Sequence, residues 1–249
     1  MELRLVFLVI SVSVLEIVYA VDYCDPSLCG SSKHIACNNN GRFAASCRNA
    51  VMLPLTKRDK SFIVRLHNNK RNYVASGRSK YNAACRMGSM QWDNELAAMA
   101  ALNVKQCQMK HDACRNTPRF KYSGQNLAWG SCPNNPSVRK LFRQFNNLWY
   151  SEGRYANTTI IDKYPDNYIG PAIGHFTVMV GEANTRVGCA FSTYSVPGQP
   201  YKGCLLACNY ATTNLIGAPM YKSCAVGASG CKTGKNRILP FLCSRAEVY

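Results

Sequence analysis

The sequence predicts a secreted, disulfide-rich α/β domain with helices on both sides of a small antiparallel sheet. Three observations predict this class: two neighbouring β-rich segments, three segments with apolar residues at helical spacing, and fourteen cysteines that all follow an N-terminal apolar stretch. Helices and a sheet that bury their apolar faces against each other form layered domains of this kind. The 249 residues suffice for one sizeable domain with extensions.

The β-rich segments lie late in the chain. RVGCAFSTY covers residues 186–194, GCLLACNY covers residues 203–210, and Pro197-Gly198 lies between them. Two such runs separated by a turn signal are typical of an antiparallel pair.

Three amphipathic helices are predicted earlier in the chain. The first begins at Thr56, with Asp59 in its first turn, and ends at Gly77; the second opens at Trp92-Asp93. The third is capped by Asn135, with Pro136 at its first position. The predicted core faces are Phe62, Ile63, Leu66 and Tyr73 in the first helix, Leu96, Met99, Ala100, Asn103 and Cys107 in the second, and Val138, Leu141, Phe142, Phe145, Leu148 and Trp149 in the third.

The first twenty residues have the pattern of a secretory signal peptide. Arg4 precedes an apolar run over residues 6–14, and Val18-Tyr19-Ala20 forms a small-residue cleavage site. We therefore expect a signal peptide over residues 1–20 and a mature secreted chain that begins near Val21. Composition divides the rest into a cysteine-rich arm (21–56), a main domain (57–220) and a cysteine-containing tail (221–249).

The cysteine count predicts seven disulfides, because all fourteen cysteines follow residue 20 and the expected compartment is oxidising. Each disulfide stabilises such a fold by about 2–4 kcal/mol, mainly through the unfolded state. The arm contains Cys24, Cys29, Cys37 and Cys47 but little apolar material, so we expect disulfides to hold it on the main domain. No pair of CxxC motifs has zinc-finger spacing.

The formal net charge of the chain is +17. The predicted signal peptide contributes Glu2, Arg4 and Glu16, a net of −1, so the remaining chain carries +18. This field favours anionic partners such as glycosaminoglycans, acidic lipids or acidic cell surfaces. The alternative is a solvated surface that favours solubility and loose adhesion to anions. Nucleic acid is not expected, since the basic residues are scattered and the chain is expected outside the cell. Asn157-Thr158-Thr159 is an N-glycosylation sequon.

The sequence offers little catalytic chemistry. None of its four histidines lies in HExxH, and GxSxG is absent. His111, Glu152 and His175 each lie near the end of a predicted element. Two imidazoles and a carboxylate suit a divalent cation or a base acting on water; the alternative is a set of satisfied polar groups lining a cleft.

Five motifs, in this order, resemble the CAP superfamily, and above all its insect antigen-5 branch. They are QCQMKHDACR (106–115), GQNLA (124–128), WYSE (149–152), GHFT (174–177) and CNY (208–210). His67-Asn68 with Arg71 and the four-cysteine arm are similar to that branch as well. The match spans about residues 57–220. Within the branch, the chain resembles salivary antigen-5-like platelet inhibitors of horseflies, of the tabinhibitin type.

This resemblance implies a three-layer α-β-α sandwich with a disulfide-held N-terminal arm and C-terminal tail. It implies the pairs Cys24–Cys37, Cys29–Cys114, Cys47–Cys107 and Cys189–Cys208. It leaves Cys85, Cys132, Cys204, Cys224, Cys231 and Cys243 unassigned.

The resemblance also implies a cleft with two histidines and two acidic residues, in which some members bind zinc. His111, Glu152 and His175 match it, whereas Gln125 stands where many relatives have glutamate. His111 and His175 are therefore the candidate zinc ligands. No other cofactor and no enzymatic activity are expected.

The horsefly relatives are associated with an Arg-Gly-Asp tripeptide in a cysteine-bracketed loop of the arm, and this sequence has no such tripeptide. Its loop between Cys37 and Cys47 offers Asn40-Gly41-Arg42 instead. Asn-Gly deamidates readily, and an isoaspartyl product would place a carboxylate beside Arg42. The alternative interpretation is a tight turn, for which Asn-Gly is a strong signal.

The expected function is that of a salivary, non-enzymatic effector that impairs host haemostasis. It would inhibit platelet aggregation by engaging a platelet or endothelial receptor, such as an integrin, through the arm loop. One alternative is a scavenger of a fatty acid, eicosanoid or sterol in a channel between helices. Another is a hydrolase using Glu152 with His111 and His175, against which the missing second acid and the absent nucleophile argue.

Overall fold

A computed structural model describes residues 21–249, and the predicted signal peptide lies outside the described residues. The helices are α1 (Pro26–Cys29), α2 (Lys57–Ala75), α3 (Asn94–Val104), α4 (Val138–Ser151), a 3₁₀ turn (Glu152–Arg154), α5 (Thr158–Asp162) and α6 (Gly174–Val180). The strands are β1 (Arg48–Leu53), β2 (Ala83–Ala84), β3 (Gln91–Trp92), β4 (Gly124–Cys132), β5 (Arg186–Ser195), β6 (Lys202–Tyr210) and β7 (Ser223–Cys224).

The main sheet contains the predicted antiparallel pair. Its strand order is β1–β5–β6–β4, with β3 lying parallel to the start of β5, and β2 pairs separately with β7. β5 and β6 are the predicted pair, and their register places Cys189 opposite Cys208. β1 belongs to the arm, so the arm adds an edge strand to the sheet of the main domain.

Helices cover both faces of this sheet. Phe191 and Leu206 face α2 and α4, whereas Ala190 and Leu205 face Ala100 of α3 on the other side. This arrangement is the predicted three-layer α-β-α sandwich. The interior is divided into separate apolar clusters, because the sheet itself separates two of them.

Helix α2 begins and ends as the sequence predicts. The Thr56 hydroxyl accepts the N–H of Asp59 at 3.2 Å, and the Asp59 carboxylate accepts the N–H of Thr56 at 3.1 Å. This reciprocal pair is a capping box. Gly77 follows the helix with a φ of +71°, the left-handed conformation in which many helices stop. Phe62 and Ile63 are buried as predicted.

The predicted core stripes are wrong at two positions. Tyr73 of α2 is 51% exposed and Leu148 of α4 is 60% exposed. In α4 the neighbouring Trp149 is buried and fills the core side of that turn, so Leu148 points away from it.

Two predicted helix boundaries are also wrong. The N-cap of α4 is Ser137, so Asn135 and Pro136 lie before the helix. Helix α3 ends at Val104, and Cys107 lies beyond it with a φ of +53°. The chain therefore turns before Cys107, and this cysteine pairs with the arm instead of lying on the helical face.

All fourteen cysteines form disulfides. The four implied pairs are present, and two of them, Cys29–Cys114 and Cys47–Cys107, join the arm to the loop between α3 and β4. The previously unassigned cysteines form Cys85–Cys224, Cys132–Cys204 and Cys231–Cys243.

The tail packs as part of the interior. Leu242 and Cys243 are fully buried, and the Cys243 N–H donates to the Met87 carbonyl at 2.8 Å. The buried carboxylate of Glu247 forms an ion pair with Arg86. Residues that follow the main domain in sequence therefore complete its core.

Candidate functional site

The predicted cleft residues meet at one cavity of about 360 Å³. His111 comes from the loop before β4, Gln125 from β4 and His175 from α6, and all three line this cavity. Glu152, directly after α4, binds His175. The convergence of the two histidines, which sequence spacing left open, thus occurs.

Glu152 orients His175 and the start of α6. One carboxylate oxygen lies 2.6 Å from Nδ1 of His175, and the other accepts the backbone N–H groups of His175 at 2.9 Å and Phe176 at 3.3 Å. The carboxylate thereby satisfies N–H groups at a helix N-terminus, where negative charge is stabilised. Trp149 stacks on the imidazole at 5.9 Å between ring centroids. This contact uses Nδ1 of His175 and leaves Nε2 outside it.

Gln125 lies at the centre of a second polar network. Its Oε1 lies 2.9 Å from Nδ1 of His111, and its Nε2 donates to Asp112 at 2.7 Å and to Asn209 at 3.0 Å. Asp112 also accepts from Arg115, at 3.2 Å. The cleft therefore has an acidic neighbour in Asp112, but that carboxylate is engaged by Arg115 and by the Gln125 amide. Sequence reasoning missed Asp112 and Asn209.

A buried hydrogen-bonded chain connects the cleft with α2. Asn126 donates to the His175 carbonyl at 3.1 Å and to the Tyr210 hydroxyl at 3.2 Å. The Tyr210 hydroxyl lies 3.0 Å from Nε2 of His67, whose Nδ1 lies 2.9 Å from the Ile63 carbonyl. Burial lowers the pKa of His67 to about 4, so this imidazole is neutral at pH 7 and serves as a link in the core.

Arg71 crosses the interior and forms no ion pair with a carboxylate among residues 21–249. Its side chain is fully buried and donates to the carbonyls of Gly88, Met179, Gly181 and Glu182 at 2.7–3.2 Å. Burial lowers the pKa of Arg71 to about 10, so the guanidinium stays charged at pH 7. The motif of His67, Asn68 and Arg71 is therefore structural.

The cleft residues do not fit a resident zinc ion. Each of His111 and His175 keeps one ring nitrogen beyond its contact with Gln125 or Glu152, which gives two donors. Protein zinc sites take three or four protein ligands. Among residues 21–249, no group of three His, Cys, Asp or Glu side chains is arranged to hold a metal. The amide at Gln125 is neutral and already bonded, so it does not supply the missing ligand.

The arm loop, residues 38–46, is held by its own side chains. The Gly41 N–H donates to Oδ1 of Asn39, and the Arg42 N–H donates to Oδ1 of Asn40, both at 2.9 Å. Gly41 has a φ of +71°, which its lack of a Cβ permits. Asn40-Gly41-Arg42 therefore lies in a bend closed by two Asx-type side-chain hydrogen bonds, with Asn40 and Arg42 exposed.

Lys105 fixes this loop to the main domain. Its ammonium donates to the Gly41 carbonyl, and its own carbonyl accepts the Ala44 N–H at 2.9 Å. Cys37–Cys24 and Cys47–Cys107 close the two ends. The turn is thus presented on a supported loop.

The glycosylation sequon lies on an exposed helix cap. Oδ1 of Asn157 accepts the N–H of Ile160 at 2.9 Å and caps α5. The cap uses the oxygen, whereas a glycan is attached to Nδ2. The geometry is compatible with modification, which stays a prediction.

The fold and cleft define a CAP protein. Residues 64–210 match the CAP family, described as the cysteine-rich secretory protein family. The chain belongs to this family.

Within the family, the chain is similar to the venom allergen and antigen 5 proteins. It is 38% identical over 228 residues to Venom allergen-1 of Aedes albopictus, covering 91% of this chain and 88% of that protein. It is 41% identical over 202 residues to Antigen 5 like allergen Cul n 1 of Culicoides nubeculosus, covering 76% and 90%. The predicted antigen-5 resemblance is confirmed.

Solved structures support the fold. NaASP2, crystallised with Zn²⁺, superposes with a TM-score of 0.61 at 24% identity and covers 76% of this chain and 97% of its own. The Hookworm Platelet Inhibitor superposes with a TM-score of 0.54 at 17% identity, and the match covers 76% of this chain and 91% of that one. At these identities the likeness concerns the fold alone.

The disulfide content fits an extracellular protein, since seven disulfides persist only in an oxidising environment. Along the described part of the chain, no helix has both the length and the apolarity needed to cross a membrane.

Proposed function

We propose that this antigen-5-like protein is a secreted salivary effector that impairs host haemostasis by binding and not by catalysis. Its partner would be a receptor on platelets or endothelium, such as an integrin, and its contact point the arm turn at Asn40-Gly41-Arg42. The observation that carries the proposal is an exposed arginine on a turn fixed by Lys105 and bounded by two disulfides. A prearranged loop loses little conformational entropy on binding.

Arg42 is the residue to which we assign recognition. Its side chain is exposed and forms no ion pair with any described residue. Deamidation of Asn40 requires the Gly41 nitrogen to attack the Asn40 side-chain carbon. That N–H is bound to Asn39 and the Asn40 oxygen to Arg42, so the turn opposes the reaction. The proposal therefore uses the amide form of the loop.

The cleft supports a binding role over a hydrolytic one. Glu152 is engaged by His175 and two backbone N–H groups, and the position of the second acid holds Gln125. No cysteine thiol is available, since all fourteen cysteines are paired. These three contacts occupy most of the roughly four lone-pair positions of the Glu152 carboxylate, which disfavours its use as a general base.

Platelet aggregation with the purified full chain tests the proposal. The wild type should inhibit, and Arg42→Ala should weaken inhibition by about tenfold or more, the range of an arginine hot spot. Arg48→Ala is the matched control, because Arg48 is also an exposed arginine of the arm and lies outside the loop. Equal potency of Arg42→Ala and wild type would remove the loop from the proposal, and a wild type without inhibition would refute it.

The alternative function is scavenging of a fatty acid, eicosanoid or sterol. One groove beside α2, with a volume of about 650 Å³, is large enough for such a ligand and is partly lined by Val64, Met90 and Trp92. Native mass spectrometry of secreted protein tests this alternative. A bound lipid, or uptake of added arachidonate, would support it, and apo protein that takes up neither would refute it.

A further inference from the structure

The exposed side of α2 carries a group of eight cations, of which seven form no ion pair with any described residue. They lie on α2, on α4, at the start of β5 and in the tail. This basic face consists of Lys57, Arg58, Lys60, Arg65, Arg139, Arg143, Arg186 and Arg245.

Two grooves flank α2 within the basic face. The larger, about 650 Å³, lies between α2, β3 and the tail; the smaller, about 340 Å³, lies between α2 and α4. Lys57 and Arg65 line both grooves, so the two are joined across the helix. Neither lining contains an aspartate or a glutamate.

Three arginines of the basic face are held beside one aromatic ring, and only one of the eight cations is paired with a described carboxylate. The guanidinium groups of Arg65, Arg139 and Arg143 lie 5.6, 5.9 and 5.5 Å from the centroid of the Phe62 ring. In the part of the chain that the structure describes, only Arg139 of the eight forms an ion pair, with Asp59 at 2.7 Å. Positioned guanidinium groups bind phosphate and sulfate through paired N–H donors.

The larger groove also has an aromatic wall. Nζ of Lys60 lies 5.4 Å from the Trp92 ring centroid, and the indole N–H donates to Asn94 at 3.0 Å, which fixes the ring. A fixed indole beside an ammonium group offers a flat platform for a sugar ring next to a site for its sulfate.

We infer that the basic face binds a sulfated glycosaminoglycan chain. Such a chain carries anionic groups along its length and is long enough to cross both grooves, whereas a single small lipid would reach only part of the eight cations. A membrane fits less well: of the residues lining the grooves, only Ile238 is a largely exposed hydrophobic side chain, and membrane-bound faces insert several. This site is separate from the arm loop and goes beyond the proposed haemostatic function.

Binding of a heparin octasaccharide in 0.15 M NaCl, measured by calorimetry on the full chain, tests the inference. Lys57→Glu with Arg65→Glu should weaken binding by about tenfold or more, because the change reverses both cations shared by the grooves. Lys33→Glu with Lys121→Glu is the matched control: it makes the same change in net charge at exposed positions outside the basic face, and should weaken binding by less than about threefold.

Several outcomes would overturn the inference. These are no octasaccharide binding by wild type, equal losses in the two double variants, or undiminished binding of a fully desulfated octasaccharide. Loss of binding to phosphatidylserine vesicles or oleate in the groove variant, with heparin binding intact, would assign the face to lipid instead. Near-ultraviolet circular dichroism checks folding. If the double variant does not fold, Arg65→Ala should still weaken binding about threefold. Arg42→Ala should bind heparin as wild type does, so failure here and failure of the platelet proposal are distinguishable.

Discussion

The two sides of α2 use basic side chains in opposite ways. On the inner side, Arg71 is fully buried and donates to four backbone carbonyls, and the neutral His67 links Ile63 to Tyr210. On the outer side, Lys57 and Arg65 are exposed and form no ion pair with any described residue. Both sides carry positive charge, so charge alone does not tell a structural cation from one that can bind a ligand. What differs is whether other groups of the protein already occupy its hydrogen-bond donors.

Replacing Arg71, the buried cation on the inner side, should have the largest effect on the free energy of unfolding. Arg71→Leu leaves the carbonyls of Gly88, Met179, Gly181 and Glu182 buried without these donors, which should lower the free energy of unfolding by roughly 3–5 kcal/mol. Arg65→Leu, at an exposed position of the same helix, should change it by less than about 0.5 kcal/mol. Guanidinium denaturation at pH 7 measures both, and similar losses in the two variants would break the comparison.

The buried histidine on the inner side should make the fold sensitive to acid. His67 has a pKa of about 4 when folded and about 6.5 when unfolded, so below pH 6.5 the unfolded chain binds more protons. This group therefore stabilises fully above pH 6.5, and its contribution is lost as the pH falls toward 4, by roughly 3 kcal/mol in all.

Denaturation of the wild type and of His67→Gln at pH 7 and pH 4.5 isolates this contribution. The variant should be less stable than wild type at pH 7, since it loses the imidazole contacts, but its stability should fall less between the two pH values. An identical fall in both proteins would mean that His67 does not titrate in the way its burial indicates.

The capping box should have the smallest effect, because it lies at the exposed start of α2. Thr56→Ala removes the side-chain acceptor for the Asp59 N–H and should cost about 1 kcal/mol, whereas Thr56→Ser keeps that acceptor and should cost less. Thermal and guanidinium unfolding measure both. Heparin binding should be unchanged in either variant, and a loss in Thr56→Ala would mean that the basic face depends on how the helix begins.

Much of the fold could be predicted because its signals are local. The Thr56–Asp59 capping box and the pair β5–β6 each depend on neighbouring residues. Strand β4 escaped prediction because seven of its nine residues are buried or partly buried on both faces, which removes the alternation that marks a half-exposed strand. β1 escaped because its partner, β5, lies far along the chain.

The candidate site was only partly predictable, because its contacts join residues that are distant in sequence. Motifs identified His111, Gln125, Glu152 and His175, but not which groups would occupy their hydrogen bonds. The Gln125 amide meets Asn209 because β4 and β6 place these residues directly opposite each other. The basic face could not be recognised at all, since its cations come from positions 57 to 245 and become neighbours only when the tail packs beside α2.

The disulfide Cys85–Cys224 joins residues that are far apart in sequence, and this affects how the protein is made. Cys85 emerges from the ribosome 139 residues before its partner. At a synthesis rate of about 5–20 residues per second, the Cys85 thiol stays without its partner for several seconds to about half a minute. During that time other unpaired cysteines are present and can react with it. Correct oxidation is therefore a matter of timing as well as of proximity, and a secretory cell with ample disulfide isomerase should yield far more native protein than one without it.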